Sequence, residues 1–305
     1  MACLTPPTEG AREQETVTPD SYVLVYRDRR RRWLVRPKDT PKLHTHLGIL
    51  DVAALVGGPY GVIVSTTMGD ELVVLKPTIE DLVMKLARRT QVIYPKDLGL
   101  MMVKLGVHSG SRVVETGTGS GATTALLAYL VRPGGMVFTY DINPDFQEVA
   151  RKNIEKLGLG DQVKFRVCDA RLGFDEGEMD AGMLDVGDPW DVVSSMRKAL
   201  KPSAPMAAVT PTTNQAERLV ATMKDEGFAA IETLEIMMRN LEARVGMTRP
   251  SSHMVGHTAY LTFARSTLGP DRPLVVAGES PSVPPGPSSE GETREGKEKA
   301  TEGHP

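Results

Sequence analysis

One stretch restricts the possible folds more than any other. Val114-Glu115-Thr116-Gly117-Thr118-Gly119-Ser120-Gly121 lies between a β-branched run and a run of helix formers. Three glycines at alternate positions permit a tight turn and let the backbone approach a ligand without side-chain clash. A strand must feed such a turn and a helix must leave it. From Pro95 onward the apolar periodicity agrees, with strands expected at 112–115, 136–140, 163–167, 181–184 and 206–209. Helices are expected at 121–130, 144–157, 189–200 and 215–226, between those strands. Residues 231–236 and 258–263 read as an antiparallel pair at a sheet edge. The expected fold class is therefore α/β, over residues 98–268: a mostly parallel sheet, helices on both faces, ligands at the carboxyl ends of its strands.

Acids recur at those strand ends. Asp141 follows Gly121 by 20 residues, where a carboxylate can accept from two ribose hydroxyls. By itself this does not separate dinucleotide binders from S-adenosylmethionine binders, because Gly117-x-Gly119-x-x-Ala122 also meets the looser dinucleotide pattern. Glu115 and Asp169 favour S-adenosylmethionine. An acid two residues before the first glycine can hold a cationic amino group but would repel a pyrophosphate, and Asp169 can accept from an adenine amino group. After the fourth strand comes Leu184-Asp185-Val186-Gly187-Asp188-Pro189-Trp190. Asp188 suits the cap of the helix that Pro189 begins. Asp185, nearer the strand end, is the candidate catalytic acid.

The rest of the chain is less regular. Residues 21–76 hold short strand candidates at 22–26, 33–35, 48–51, 61–64 and 71–75, a small β-rich N-terminal domain. Residues 77–97 form a linking helix, capped by Thr78 and ending near Arg88-Arg89, and an active-site segment. Residues 1–20 and the acidic, Pro/Gly/Ser-rich 269–305 read as disordered. The net charge of −3 hides a division, since each end carries −3 and residues 21–269 therefore about +3. Arg27, Arg29, Arg30, Arg31, Arg32, Arg36 and Lys38 stand against Asp28 alone locally, a pattern suited to phosphate. Two cysteines make neither a zinc site nor a disulfide framework. His44 and His46 lack the further ligands a metal would need. No run is long and apolar enough for a membrane helix and no signal-peptide core opens the chain, so a cytoplasmic protein is expected, without metal or membrane.

Several blocks together resemble the tRNA adenine-58 N1-methyltransferase family, in its archaeal and bacterial homotetrameric form. They are His44-Thr45-His46-Leu47-Gly48, Gly58-Pro59-Tyr60-Gly61, Leu75-Lys76-Pro77-Thr78, the run from Arg89 through Tyr94-Pro95-Lys96-Asp97, the glycine loop, Leu184-Asp185 to Trp190, Arg249-Pro250 and Met254-Val255-Gly256-His257-Thr258. The resemblance spans about residues 18–266. It implies a Rossmann-like class I S-adenosylmethionine-dependent methyltransferase domain, tRNA as substrate and a homotetramer. Asp185 matches the family's catalytic aspartate and Tyr94 its active-site tyrosine. Glu115, Gly117, Thr118, Gly119, Ser120, Gly121, Asp141, Asp169 and Asp185 fall at donor-binding positions. Tyr94, His257, Arg249, Arg30 and Arg31 are the candidate tRNA contacts. Asp141 stands where many relatives carry Glu, and the acidic tail is outside the family pattern. Two other readings stay open: a same-fold methyltransferase for protein carboxylates or small molecules, and a non-catalytic tRNA-binding subunit. The intact acids and glycines argue against the second. Methylation of the neighbouring adenine 57 is equally compatible with the sequence.

Overall fold

The structure, a computed structural model, describes residues 15–268. The segments expected to be disordered lie outside those residues, apart from 15–20. That short piece is ordered: Val17 is buried and its N–H donates to the Gly58 carbonyl at 2.9 Å. An apolar side chain within a polar stretch found a core to enter, so the folded part begins earlier than its composition suggests.

The arginine-rich turn joins β1 (Val23–Tyr26) to β2 (Arg32–Val35), followed by β3 (Lys42–Thr45), β4 (Gly48–Asp51), β5 (Ile63–Ser65) and β6 (Glu71–Leu75). Strands β2-β1-β6-β5 form an antiparallel sheet, and β3 pairs with β4 as a separate hairpin. Val17, Val23, Val25, Leu50, Leu72 and Val74 are among the side chains of their shared core. Helix α1 (Ile79–Met84) starts from a capping box in which the Thr78 hydroxyl and the Asp81 carboxylate each satisfy the other's backbone N–H. It ends at Met84 and not near Arg88-Arg89. The N–H groups of Arg89 and Thr90 instead donate to the Ser120 hydroxyl, at 2.9 and 3.2 Å.

The second body follows: α2 (Pro95–Leu105), β7 (Arg112–Thr116), α3 (Ala122–Leu130), β8 (Met136–Asp141), α4 (Pro144–Lys156), β9 (Val163–Val167), β10 (Ala181–Leu184), α5 (Val193–Ala199), β11 (Pro205–Thr210), α6 (Thr213–Asp225), β12 (Ala229–Leu234), β13 (Leu241–Glu242), β14 (Arg249–Pro250) and β15 (Tyr260–Arg265). Its seven-stranded sheet runs β12-β15-β11-β10-β7-β8-β9. The five strands from β11 to β9 are parallel, and β15 runs antiparallel to both β11 and β12. Neighbouring strand residues face opposite layers. Val113, Met183 and Ala207 pack with α2 and α3, while Val114, Leu184 and Ala208 pack with α5 and α6. The continuous apolar strands of the sequence are those of a sheet covered on both faces. Strand order reverses between β7 and β10, which places a crevice at the carboxyl ends of β7, β8 and β10.

Candidate functional site

A pocket of about 470 Å³ opens in that crevice, within the range of about 300–1,000 Å³ usual for small-molecule sites. The structure brings Gly117, Thr118, Gly119, Ser120, Asp141, Asp169 and Asp185 to its wall. The glycine loop leaves β7 with Gly117, Gly119 and Gly121 all in the left-handed region. Close approach of protein matters here as much as that of any ligand. A Cβ on Gly117 would stand 1.9 Å from the Asp185 carbonyl oxygen, and one on Gly119 would stand 2.9 Å from the Thr90 hydroxyl. Gly121 is not on the pocket wall; it packs against Ala150 of α4, 3.0 Å from where its Cβ would be.

The acids differ in what they have left to offer. Asp141 ends β8 and accepts from the N–H of Gly119 at 3.0 Å on one oxygen and from that of Asn143 at 2.9 Å on the other. A carboxylate has about four lone-pair sites, so each oxygen keeps one acceptor position. Asp169, in contrast, is consumed locally. Arg171 donates to it from its backbone N–H and from its guanidinium, at 2.7 to 3.0 Å. That pairing holds the Asp169 carboxyl below its ordinary value. The acceptor expected for an adenine amino group is occupied by a neighbour two residues on. Asp185 follows β10 with no hydrogen-bond partner on its carboxylate among the described residues, and its N–H donates to the Thr116 carbonyl at 3.0 Å. Burial pushes its carboxyl up to about 6. Asp188 lines the pocket but does not cap the following turn; its backbone, at φ −122 and ψ 68, is not in the extended capping conformation.

Glu115 lies beneath the loop and not on the pocket wall. Its Oε2 accepts from the hydroxyls of Thr124 at 2.6 Å and Thr139 at 2.7 Å, while Oε1 is buried without a partner. Desolvation pushes its carboxyl up to about 8, so it carries a proton at neutral pH. The Thr139 hydroxyl also meets that of Thr118 at 2.7 Å, which ties this polar layer to the loop above.

A second wall escaped the sequence reading. Thr90, Gln91, Val92 and Ile93 line the pocket beside the glycine loop, with the Thr90 hydroxyl accepting from the Ser120 N–H at 3.2 Å. The Ser120 hydroxyl accepts from two of that segment's N–H groups, and Asn153 of α4 donates to both the Ala87 and Ser120 carbonyls at 2.9 Å. Ile142, Phe146 and Arg171 complete the rim.

The other candidates stand outside the pocket. Tyr94 is the next residue after the wall and the N-cap of α2, with its ring 44% exposed. His257 uses both ring nitrogens on protein acceptors, Glu235 at 2.6 Å and the Pro211 carbonyl at 2.9 Å. The Glu235 contact raises its pKa, and with both nitrogens engaged by protein oxygens neither is free for a ligand. Arg249, in the β13–β14 pair, bridges to Glu242 at 2.7 Å. In the N-terminal turn, acids neutralise most of the arginine run: Asp70 and Asp81, distant in sequence, meet Arg27 and Arg32, and Asp39, three residues on, meets Arg36. Arg31 is held by Asp28 at 2.6 Å. The side chains of Arg29 and Arg30 have no partner among the described residues, so the free cationic charge gathers at the tip of the turn. Among the described residues no helix is long and apolar enough to cross a membrane.

Comparison with known proteins is consistent with this geometry. Residues 72–247 match the family model described as tRNA methyltransferase complex GCD14 subunit. The chain is 34% identical over 271 residues to the tRNA (adenine(57)-N(1)/adenine(58)-N(1))-methyltransferase TrmI of Methanocaldococcus jannaschii, covering 80% of this chain and 95% of that one. It is 34% identical to the tRNA (adenine(58)-N(1))-methyltransferase TrmI of Thermus thermophilus, covering 79% and 96%. Among solved structures, a SAM-dependent O-methyltransferase from Thermotoga maritima matches at TM-score 0.78 and 37% identity, covering 83% and 95%. The tRNA (m1A58) methyltransferase TrmI of Aquifex aeolicus matches at 0.72 and 32%, covering 82% and 98%.

Proposed function

This chain belongs to the tRNA (adenine-N1)-methyltransferase family, and from that premise we propose that it transfers a methyl group from S-adenosylmethionine to N1 of adenine 58 in the T-loop of tRNA. The observation that carries the reading is Asp185: a partly buried carboxylate, unpaired among the described residues, set against Gly117 at the switch point of the sheet.

The residues present fit the donor. The spare acceptor positions of Asp141 suit ribose hydroxyls. The glycine loop and the Thr90–Ile93 wall would flank the molecule. S-adenosylmethionine, when bound, supplies a sulfonium methyl group open to in-line displacement. Adenine N1 carries a free lone pair at neutral pH, so no general base is required to expose it. Positioning then dominates the rate. Asp185, ionised at pH 7, accepts from the adenine N6–H group, orients N1 and stabilises the positive charge that N1 methylation spreads onto the amino group. Tyr94 supplies a ring face beside the donor wall for an extracted base. Arg29 and Arg30 at the tip of the N-terminal turn contribute charge toward the tRNA backbone.

We place the enzyme with tRNA in the cytoplasm and assign it a homotetrameric assembly, to which the exposed Met237, Met238, Val245 and Met247 offer apolar surface. The test is transfer of labelled methyl to unmodified tRNA transcripts with adenine 58 replaced, alone or together with position 57. Label lost with the single replacement supports strict position-58 methylation; label lost only with both extends the activity to position 57. Label on an oxygen, the chemistry for which the Thermotoga protein is named, or none on any tRNA, overturns the proposal.

A further inference from the structure

Between β12 and β15 the chain leaves the body as an arm, residues 237–257, that carries β13 and β14 at its far part. The arm bears Arg239, Arg244 and Arg249 together with several exposed apolar side chains, and its own backbone pairing is short: the two-residue β13–β14 ladder, with the Ser251 N–H donating to the Asn240 carbonyl and the Met247 N–H to the Arg244 carbonyl beside it. What fixes its direction is at its base. Lys96, on the first turn of α2, is buried with its neighbour Asp97; their side chains are 7% and 1% exposed. The Lys96 ammonium donates to Asp97 Oδ1 at 2.7 Å, to the Ile236 carbonyl at 2.8 Å and to the Thr258 hydroxyl at 2.6 Å. The Thr258 hydroxyl in turn donates to Asp97 Oδ2 at 2.9 Å. All three ammonium protons, both carboxylate oxygens and the hydroxyl are used in one closed cycle.

Ile236 and Thr258 are the two feet of the arm, one just after β12 and one just before β15. One lysine therefore ties the outgoing chain to the returning one, and both to the helix whose N-cap is Tyr94. A second, exposed contact, Glu235 to His257 to the Pro211 carbonyl, joins the neighbouring residues of the base. A buried ion pair is weak evidence for stability, since an apolar replacement often does as well. Its closed geometry is better suited to fixing orientation.

We propose that Lys96, Asp97 and Thr258 are positioning residues that lock the 237–257 arm in a fixed orientation to Tyr94, so that tRNA held by the arm's arginines presents its base to the pocket. The proposal rests on the tRNA reading above. Neither Lys96 nor Asp97 lines the donor pocket, so their effect reaches the reaction through the arm and Tyr94.

Removing Lys96 alone would leave Asp97 as a buried, unpaired charge and risks unfolding the protein. Thr258→Val is the cleaner variant, because it keeps volume and the ion pair while deleting the bridging hydroxyl. Full-length wild type, Thr258→Val and Thr258→Ser are compared by three readouts. These are tryptic cleavage after Arg239 and Arg244, donor affinity by calorimetry, and kcat/KM for tRNA. The expected result for Thr258→Val is arm cleavage about five- to tenfold faster, the size of one lost buried hydrogen bond. Donor Kd stays within about twofold, kcat/KM for tRNA falls about tenfold or more from misorientation, and Thr258→Ser restores all three. Unchanged cleavage in Thr258→Val overturns the lock. Faster cleavage with unchanged tRNA turnover overturns the positioning role and leaves a structural one. If wild type itself transfers no methyl to tRNA, the activity proposed above fails, and the positioning role with it, while cleavage still decides whether the lock exists.

Discussion

A single methyl group placed on Gly117 tests whether the glycine loop sets the position of Asp185. At that site φ is 84° and a Cβ would lie 1.9 Å from the Asp185 carbonyl oxygen. Opening that contact to the 3.0 Å minimum of real Cβ atoms means a relative shift of about 1.1 Å between the loop and the end of β10. The fold contains its own control. Gly134 has the same φ of 84° but nothing within 4 Å of its Cβ position. Alanine at either site costs about 1–2 kcal/mol for the left-handed backbone, and only at Gly117 must Asp185 also move. A misplacement of about 1 Å in a positioned catalytic group costs roughly a hundredfold in rate. We therefore expect Gly134→Ala to lower the urea midpoint while keeping methyl transfer within about twofold of wild type. Gly117→Ala should lose stability by more and kcat/KM by about a hundredfold or more. The assay is initial-rate methyl transfer to a tRNA transcript, with folded fractions matched by circular dichroism. Equal activity in the two folded variants refutes the reasoning, because Asp185 would then tolerate the shift or the loop would not hold it.

Three further outcomes follow from the site's electrostatics. With the Asp185 carboxyl pushed up to about 6, kcat/KM should fall as pH drops through 6, and Asp185→Asn should give a low, flat profile across that range in single-turnover assays. An unchanged inflection in the variant assigns the titration elsewhere. Glu115, pushed up to about 8 from 4.5, keeps in the folded state a proton that the unfolded chain has released. Its contribution therefore lowers stability as pH rises from 4.5 through 8. Glu115→Gln should show a smaller loss of unfolding midpoint between pH 6 and 9 than wild type, by calorimetry, and identical losses would contradict the assignment. Arg171→Ala frees the acceptor positions of Asp169 and should tighten binding of S-adenosylhomocysteine several-fold by titration calorimetry, consistent with about one recovered charge-assisted hydrogen bond; weaker binding would mean that Arg171 supports the site and does not compete with it.

Asp141, Asp169 and Asp185 were legible because each stands at or just after the end of an expected strand. In a parallel sheet, the carboxyl ends of such strands gather on one rim. The pocket's other wall was not legible beyond its membership in a suggestive block. Residues 87–93 take their hydrogen bonds from Ser120 and Asn153, more than 25 positions away, and so leave no periodic trace. How much of the arginine run is neutralised was not legible for a related reason. Asp70 and Asp81 lie about 40 to 50 positions downstream, and only the fold of β6 and α1 brings them to Arg27 and Arg32. Asp169 shows the opposite case, since its partner Arg171 was in plain view but a two-residue spacing gives no sign of whether a turn will close. Burial of Glu115 beneath the loop, and not beside the pocket, depended on which way a side chain points from β7, and both of its flanking residues are equally buried.

The wall formed by Thr90–Ile93 belongs to the covalent link between the small sheet and the large one. The donor site is thus divided across a junction that a modular description would cut. A fragment starting at Pro95 would retain every glycine and acid of the loop but lose the stretch of cleft wall that Thr90–Ile93 supplies. An intact chain, by contrast, has no slack at that junction, because Ser120 and Asn153 stitch it to the glycine loop. Strain applied to the N-terminal sheet by a bound polyanion has a direct route to the donor cleft. By thermodynamic reciprocity, an occupied cleft returns the same free energy to the grip on that polyanion. Any load carried along the chain from the N-terminal sheet to the cleft passes through this seven-residue connector.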